Sequence, residues 1–156
     1  METIEQKKRR LFGKQDLPVY LGELCKILKK DIDKSMILSI VETDNIREKN
    51  QAKNLSNSSK ILFKSKEKLK SIIYEKEYPY YVFTSYSKDC GTLLINSLDE
   101  FNFEFSFSDI TSGIITLTRK DLQKEIILDF YEEDKLQYID IEIYLPDRSM
   151  SQATTR

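Results

Sequence analysis

The chain has 156 residues, 40% hydrophobic and 33% charged, with two cysteines, four glycines and no histidine, which excludes a disordered, collagenous or disulfide-stapled protein and fits one soluble domain with a charged exterior. Its net charge of −1 hides a division: residues 1–78 carry 18 Lys and Arg against 12 Asp and Glu, net +6, and residues 79–156 carry 7 against 14, net −7. Such an asymmetric field bears on partners rather than on fold.

At the N-terminus the basic run Lys7, Lys8, Arg9, Arg10 has no apolar core behind it, so no secretory signal is expected. No stretch is apolar enough to span a membrane, and the expected location is the cytoplasm. Asp16 caps an expected helix with Pro18 in its first turn. Leu17, Tyr20, Leu21, Leu24, Ile27 and Leu28 then recur on one face, while Glu23, Lys26, Lys29 and Lys30 are expected to stay wet. Met36–Val41, short and rich in branched side chains, reads as a strand. Residues 44–60 lose hydrophobicity and read as an exposed helix or a loop. Helical spacing returns over Ser65–Lys76 and stops before Pro79.

Beyond Pro79 the period becomes two. Tyr81–Tyr86 and Thr92–Asn96 read as strands about a turn at Cys90-Gly91. Phe101, Phe103, Phe105 and Phe107 alternate with Asn102, Glu104, Ser106 and Ser108, which predicts a half-buried strand. Ile114–Thr118, Glu125–Tyr131 and Tyr138–Leu145 follow as strands, the last two joined through Glu132, Glu133 and Asp134. In the final strand Ile139, Ile141, Ile143 and Leu145 face inward, and Tyr138, Asp140, Glu142 and Tyr144 outward. Helices followed by strands predict a single α+β domain over residues 1–146. Its N-terminal helices pack on one face of a mainly antiparallel sheet formed largely by residues 80–145, and residues 147–156 form a flexible tail.

Without histidine the chain lacks the commonest general base and metal ligand, and no Ser or Cys triad of the usual kind can be assembled. Phosphate-cradling glycine patterns are missing. Glu132-Glu133-Asp134 lacks the ligand spacing and central glycine of a calcium loop. No enzyme activity, cofactor or metal is therefore expected. Cys90 next to Lys88 would serve as a nucleophile only with a lowered thiol pKa.

The densest signal is acidic. From Glu125 to Glu142 there are seven carboxylates against the single cation Lys135, a net charge of −6 in one local unit. Like charges on neighbouring strands repel, so such a sheet gains most when a cationic partner covers it. Tyr138 and Tyr144 share the outward side with Asp140 and Glu142, and tyrosine among carboxylates is the composition of a binding surface.

Asp129-Phe130-Tyr131-Glu132-Glu133-Asp134-Lys135-Leu136, followed by Ile139-Asp140-Ile141-Glu142-Ile143, resembles the closing acidic hairpin of several small bacterial immunity proteins. These neutralise toxins delivered by contact-dependent inhibition or related secretion systems. The chain has Asp134 where a turn glycine is common. The resemblance implies a stoichiometric inhibitor of a cognate toxin domain, expected to be a basic nuclease. Asp129, Glu132, Glu133, Asp134, Asp140 and Glu142 would supply charge, with Tyr138 and Tyr144 as anchors. The alternative is a nucleic-acid-binding or regulatory accessory protein using the lysines of residues 60–76.

Overall fold

Capping boxes open two of the helices. Thr3 and Gln6 exchange side-chain and backbone hydrogen bonds at the start of α1 (Ile4–Gly13), and Ser39 and Glu42 do the same at the start of α3 (Ile40–Lys49). Between them α2 (Leu17–Ile27) begins with Pro18 in its first turn. The chain continues through β1 (Asn54–Leu62), α4 (Glu67–Ile73), β2 (Tyr80–Phe83), the short α5 (Ser87–Cys90), β3 (Leu93–Ile95), β4 (Ile114–Arg119), β5 (Glu125–Glu133) and β6 (Leu136–Leu145). These elements come from a computed structural model describing residues 1–75 and 77–147.

The strands form one antiparallel sheet in the order β1-β6-β5-β4-β2-β3, so the architecture is α+β as the periodicity predicts. Tyr20, Leu24 and Ile27 of α2 and Leu69 and Ile73 of α4 join Ile115, Leu117, Ile126, Leu128, Ile139 and Ile141 in one buried cluster. Each such side chain contributes about 1.5–3 kcal/mol relative to exposure. Beyond the centre of the sheet, α3 shelters the opposite side of β2 and β4. The Arg47 guanidinium lies 4.8 Å from the Phe83 ring centroid, and Ile46, Arg47 and Asn50 share a cavity with Phe83, Thr116 and Thr118. That leaves the outward side of β5, β6 and β1 open, with side chains from Ile127 to Glu133 and from Leu136 to Tyr144 partly or fully exposed.

Several local expectations give way. Met36–Val41 is not a strand: a 3-10 turn covers Lys34–Met36, and the Ser39 capping box turns Ile40 and Val41 into the first turn of α3. Residues 44–60 divide between the rest of α3 and β1, an edge strand that supplies the sheet from outside residues 80–145. Asp16 makes no side-chain cap, because the turn leaving α1 already holds its backbone in a helical conformation.

The phenylalanine run keeps its alternation but is not a strand. Phe101, Phe103 and Phe105 are buried and Glu104, Ser106 and Ser108 exposed, yet the backbone meets only a single bridge to Leu28. Asn102 bends the segment by accepting from the Glu104 amide at 3.0 Å and donating to the Lys26 carbonyl at 3.0 Å. Phe105 thereby packs between Phe63, Phe101 and Phe130, at centroid distances of 5.7, 5.8 and 5.5 Å. Glu23, expected wet, is 3% exposed, because the loop before β4 folds over it. It accepts from the Thr111 hydroxyl at 2.7 Å and the Ser112 amide at 3.0 Å. The tail from residue 148 onward lies outside the described residues.

Candidate functional site

Strand register assembles the outward face row by row. Ser58 of β1 opposes Glu142 of β6, which opposes Ile127 of β5; on the next row Lys60 opposes Asp140, Asp140 opposes Asp129, and Asp129 opposes Ile114 of β4. One row beyond, Leu62, Tyr138 and Tyr131 align, and on the far side Leu55, Tyr144 and Glu125. Because side chains alternate across a strand, all of these lie on one side of the sheet. Asp129, Asp140 and Glu142 thus occupy two adjacent rows and line a cavity of about 330 Å³ with Ser58, Ser59, Lys60 and Ile127.

Among the described residues none of the three lies within 4.0 Å of a lysine or arginine nitrogen. Partial burial, then the charges of Asp140 and Glu142, hold the Asp129 carboxyl above its ordinary pKa. Lys60 faces Asp140 across the strands but lies on the neighbouring aromatic pair. Its Nζ is 4.3 Å from the Tyr138 centroid and 5.6 Å from that of Tyr131, the two rings being stacked at 5.5 Å. The Tyr131 hydroxyl donates to Asp140 Oδ1 at 2.9 Å. The face therefore already holds one cation over tyrosine beside a carboxylate.

Not every sequence candidate joins this group. The strands run through Glu132 and Glu133, and the turn is Asp134-Lys135 alone, with φ of 52° and 67°. This is the conformation of a two-residue hairpin loop, which asparagine or aspartate tolerates and glycine suits best. Strand alternation puts Glu132 on the opposite side from Asp140, Glu133 at the distal end of the acidic side, and Asp134 at the tip. Glu125 is engaged elsewhere, accepting from Thr118 at 3.4 Å and Asn50 at 3.5 Å. Of the residues read from sequence, the structure thus brings together Asp129, Tyr138, Asp140, Glu142 and Tyr144.

Sequence reasoning missed Lys60 and Tyr131 as parts of this face. The alternation of Asp129, Tyr131 and Glu133 carried the signal for Tyr131, whereas Lys60 belongs to a strand the pattern did not reveal. The lysines of residues 60–76 do not form one run: Lys60 lies on the acidic side, Lys66 4.9 Å over Phe63, and Lys70 5.4 Å over Tyr74. Lys76 lies outside the described residues. Cys90 donates to the Gly13 carbonyl at 3.4 Å, and burial, with Asp16 and Asp89, pushes its thiol up to about 11, the reverse of a reactive thiolate.

Among the described residues no group of three His, Cys, Asp or Glu is arranged to hold a metal ion, and no helix is long and apolar enough to cross a membrane. Comparison of the chain with family models, with curated proteins and with solved structures gives no match.

Proposed function

We propose that this protein is a binding module that captures a basic protein on the outward face of β5, β6 and β1. It would act as a bacterial immunity protein does when it covers the active site or substrate groove of a toxin domain in the cytoplasm. The observation that carries this reading is the cluster of Asp129, Asp140 and Glu142, adjacent, unpaired with lysine or arginine among the described residues, and surrounded by apolar and aromatic groups. Leu55 is 52% exposed and Ile114 46%, and Ile127 and Tyr144 complete the surround. Carboxylates crowded without counter-ions favour a cationic partner and speed its approach, while tyrosines and aliphatic side chains provide area that slows its departure. Lys60 supports the reading, since its ammonium lies over Tyr138 on this face, a cation–tyrosine contact that a partner's Lys or Arg would repeat at Tyr144 beside Glu142.

The test is affinity capture from native lysate with the wild-type chain and with a variant carrying Asp129→Asn, Asp140→Asn and Glu142→Gln. A strongly basic protein is expected on the wild type. Its association rate should fall about tenfold or more on the variant at low salt, with the salt dependence flattened. Capture of the same protein at an unchanged rate would overturn the reading.

A further inference from the structure

Resting on that reading, we propose that the basic partner docks by adding a β-strand to the free edge of β1, its alternate Lys or Arg side chains reaching over Ser58 to the carboxylates of β6. Among the described residues β1 is an outer strand paired with β6 alone, and one side of its backbone has no strand partner there. Exposed strand edges are ready templates for another chain, and most proteins blunt them with charge, proline or bulges.

β1 carries few of these devices. Its sequence, Asn-Leu-Ser-Asn-Ser-Ser-Lys-Ile-Leu, has no proline and one charge. The one register shift lies between Leu55 and Asn57, which leaves Asn57–Leu62 in regular pairing, the length of an ordinary strand. Lys60, the residue that would guard the edge, has its ammonium over Tyr138 and Tyr131 on the inner neighbours, so its charge does not stand over the free edge.

The side-chain pattern selects the occupant. Ser58 stands between the free edge and Glu142, and its small side chain leaves a path across which an extended cation on an added strand meets that carboxylate. An antiparallel pair of β1 edges from two copies would instead bring two sets of Asp140 and Glu142 to the same side of one continuous sheet, like against like. A basic strand is complementary where a second copy is not.

The experiment uses the whole chain and a fluorescein-labelled eight-residue peptide alternating Lys with Val or Thr. A second peptide of the same sequence carries N-methyl groups on alternate backbone amides, which removes its strand-forming hydrogen bonds and keeps its charge. Anisotropy titrations measure binding, and hydrogen exchange with assigned amide spectra locates it. The parent peptide should bind about tenfold more tightly than the N-methylated one and slow exchange in Asn57–Ile61, and binding should weaken with Asp140→Asn and Glu142→Gln.

If both peptides bind equally, with sensitivity to the carboxylates but no protection in β1, the edge proposal is overturned and the acidic-face reading stands. If binding ignores the carboxylates, both fall. Failure of the parent peptide to bind, or a dimer through β1 that the peptide does not disperse, overturns the edge proposal.

Discussion

Asp129 faces Asp140 directly across β5 and β6, with Glu142 on the next row, and burial together with these charges raises its pKa above the 3.8 of a free aspartate. The folded protein therefore holds this proton more tightly than the unfolded chain. The corresponding stability is full below the unfolded value and is lost as pH rises through the folded one. Asp129→Asn should thus stabilise the fold by about 0.5 kcal/mol at neutral pH, a gain that disappears near pH 3, as compared by urea midpoints at the two pH values. Glu23 acts through hydrogen bonds: its buried carboxylate accepts from Thr111 and Ser112. Glu23→Ala leaves those donors unpaired under the loop and should cost about 2–3 kcal/mol in the same measurement. The outward placement of Tyr138, Asp140, Glu142 and Tyr144 was legible because a strand alternates strictly. The burial of Glu23 was not: helical spacing gives a residue's angle on the helix and says nothing of a loop returning from residues 111–112.

At the scale of elements, α3 depends on its cap. Its apolar positions form no continuous stripe, and Ser39 with Glu42 sets where the helix begins. Ser39→Ala should cost about 1 kcal/mol, visible as a shift in the urea midpoint without a change in slope. Gly91 fixes the approach to β3 in the same neighbourhood. Its φ of 94° suits glycine, and a side chain there would collide with the Leu38 carbonyl. The β5–β6 hairpin was legible as two alternating strands about a short polar link, but the link is only Asp134-Lys135, because the strands continue through Glu133 and from Leu136. β1 was not, because an edge strand exposed along most of its length needs no apolar alternation, and Asn and Ser satisfy water as readily in a strand as in a loop. The phenylalanine run shows the converse: a period of two records which side is buried, and forms a strand only where a neighbouring strand offers its backbone.

Over the whole molecule, the aromatic group of Phe63, Phe101, Phe105 and Phe130 ties together the segment after β1, the irregular stretch and β5. Phe105→Ala removes the ring in contact with the other three and should cost about 3–5 kcal/mol, lowering the thermal midpoint by about 6–20 degrees. The basic and acidic halves of the chain were legible as charge, and the topology changes their meaning. The strand from the basic half that borders the acidic face brings mostly uncharged Asn and Ser, so the carboxylates are neighboured without being neutralised. That follows from a pairing no local pattern encodes.

The same pairing orders events in time. The β1 segment leaves the ribosome well before β6, its one partner strand among the described residues, so this side of the sheet must wait until residues 136–145 have been made. Until then a serine- and asparagine-rich ribbon stays hydrated at little risk of sticking, which is a use for its polarity before any partner is met.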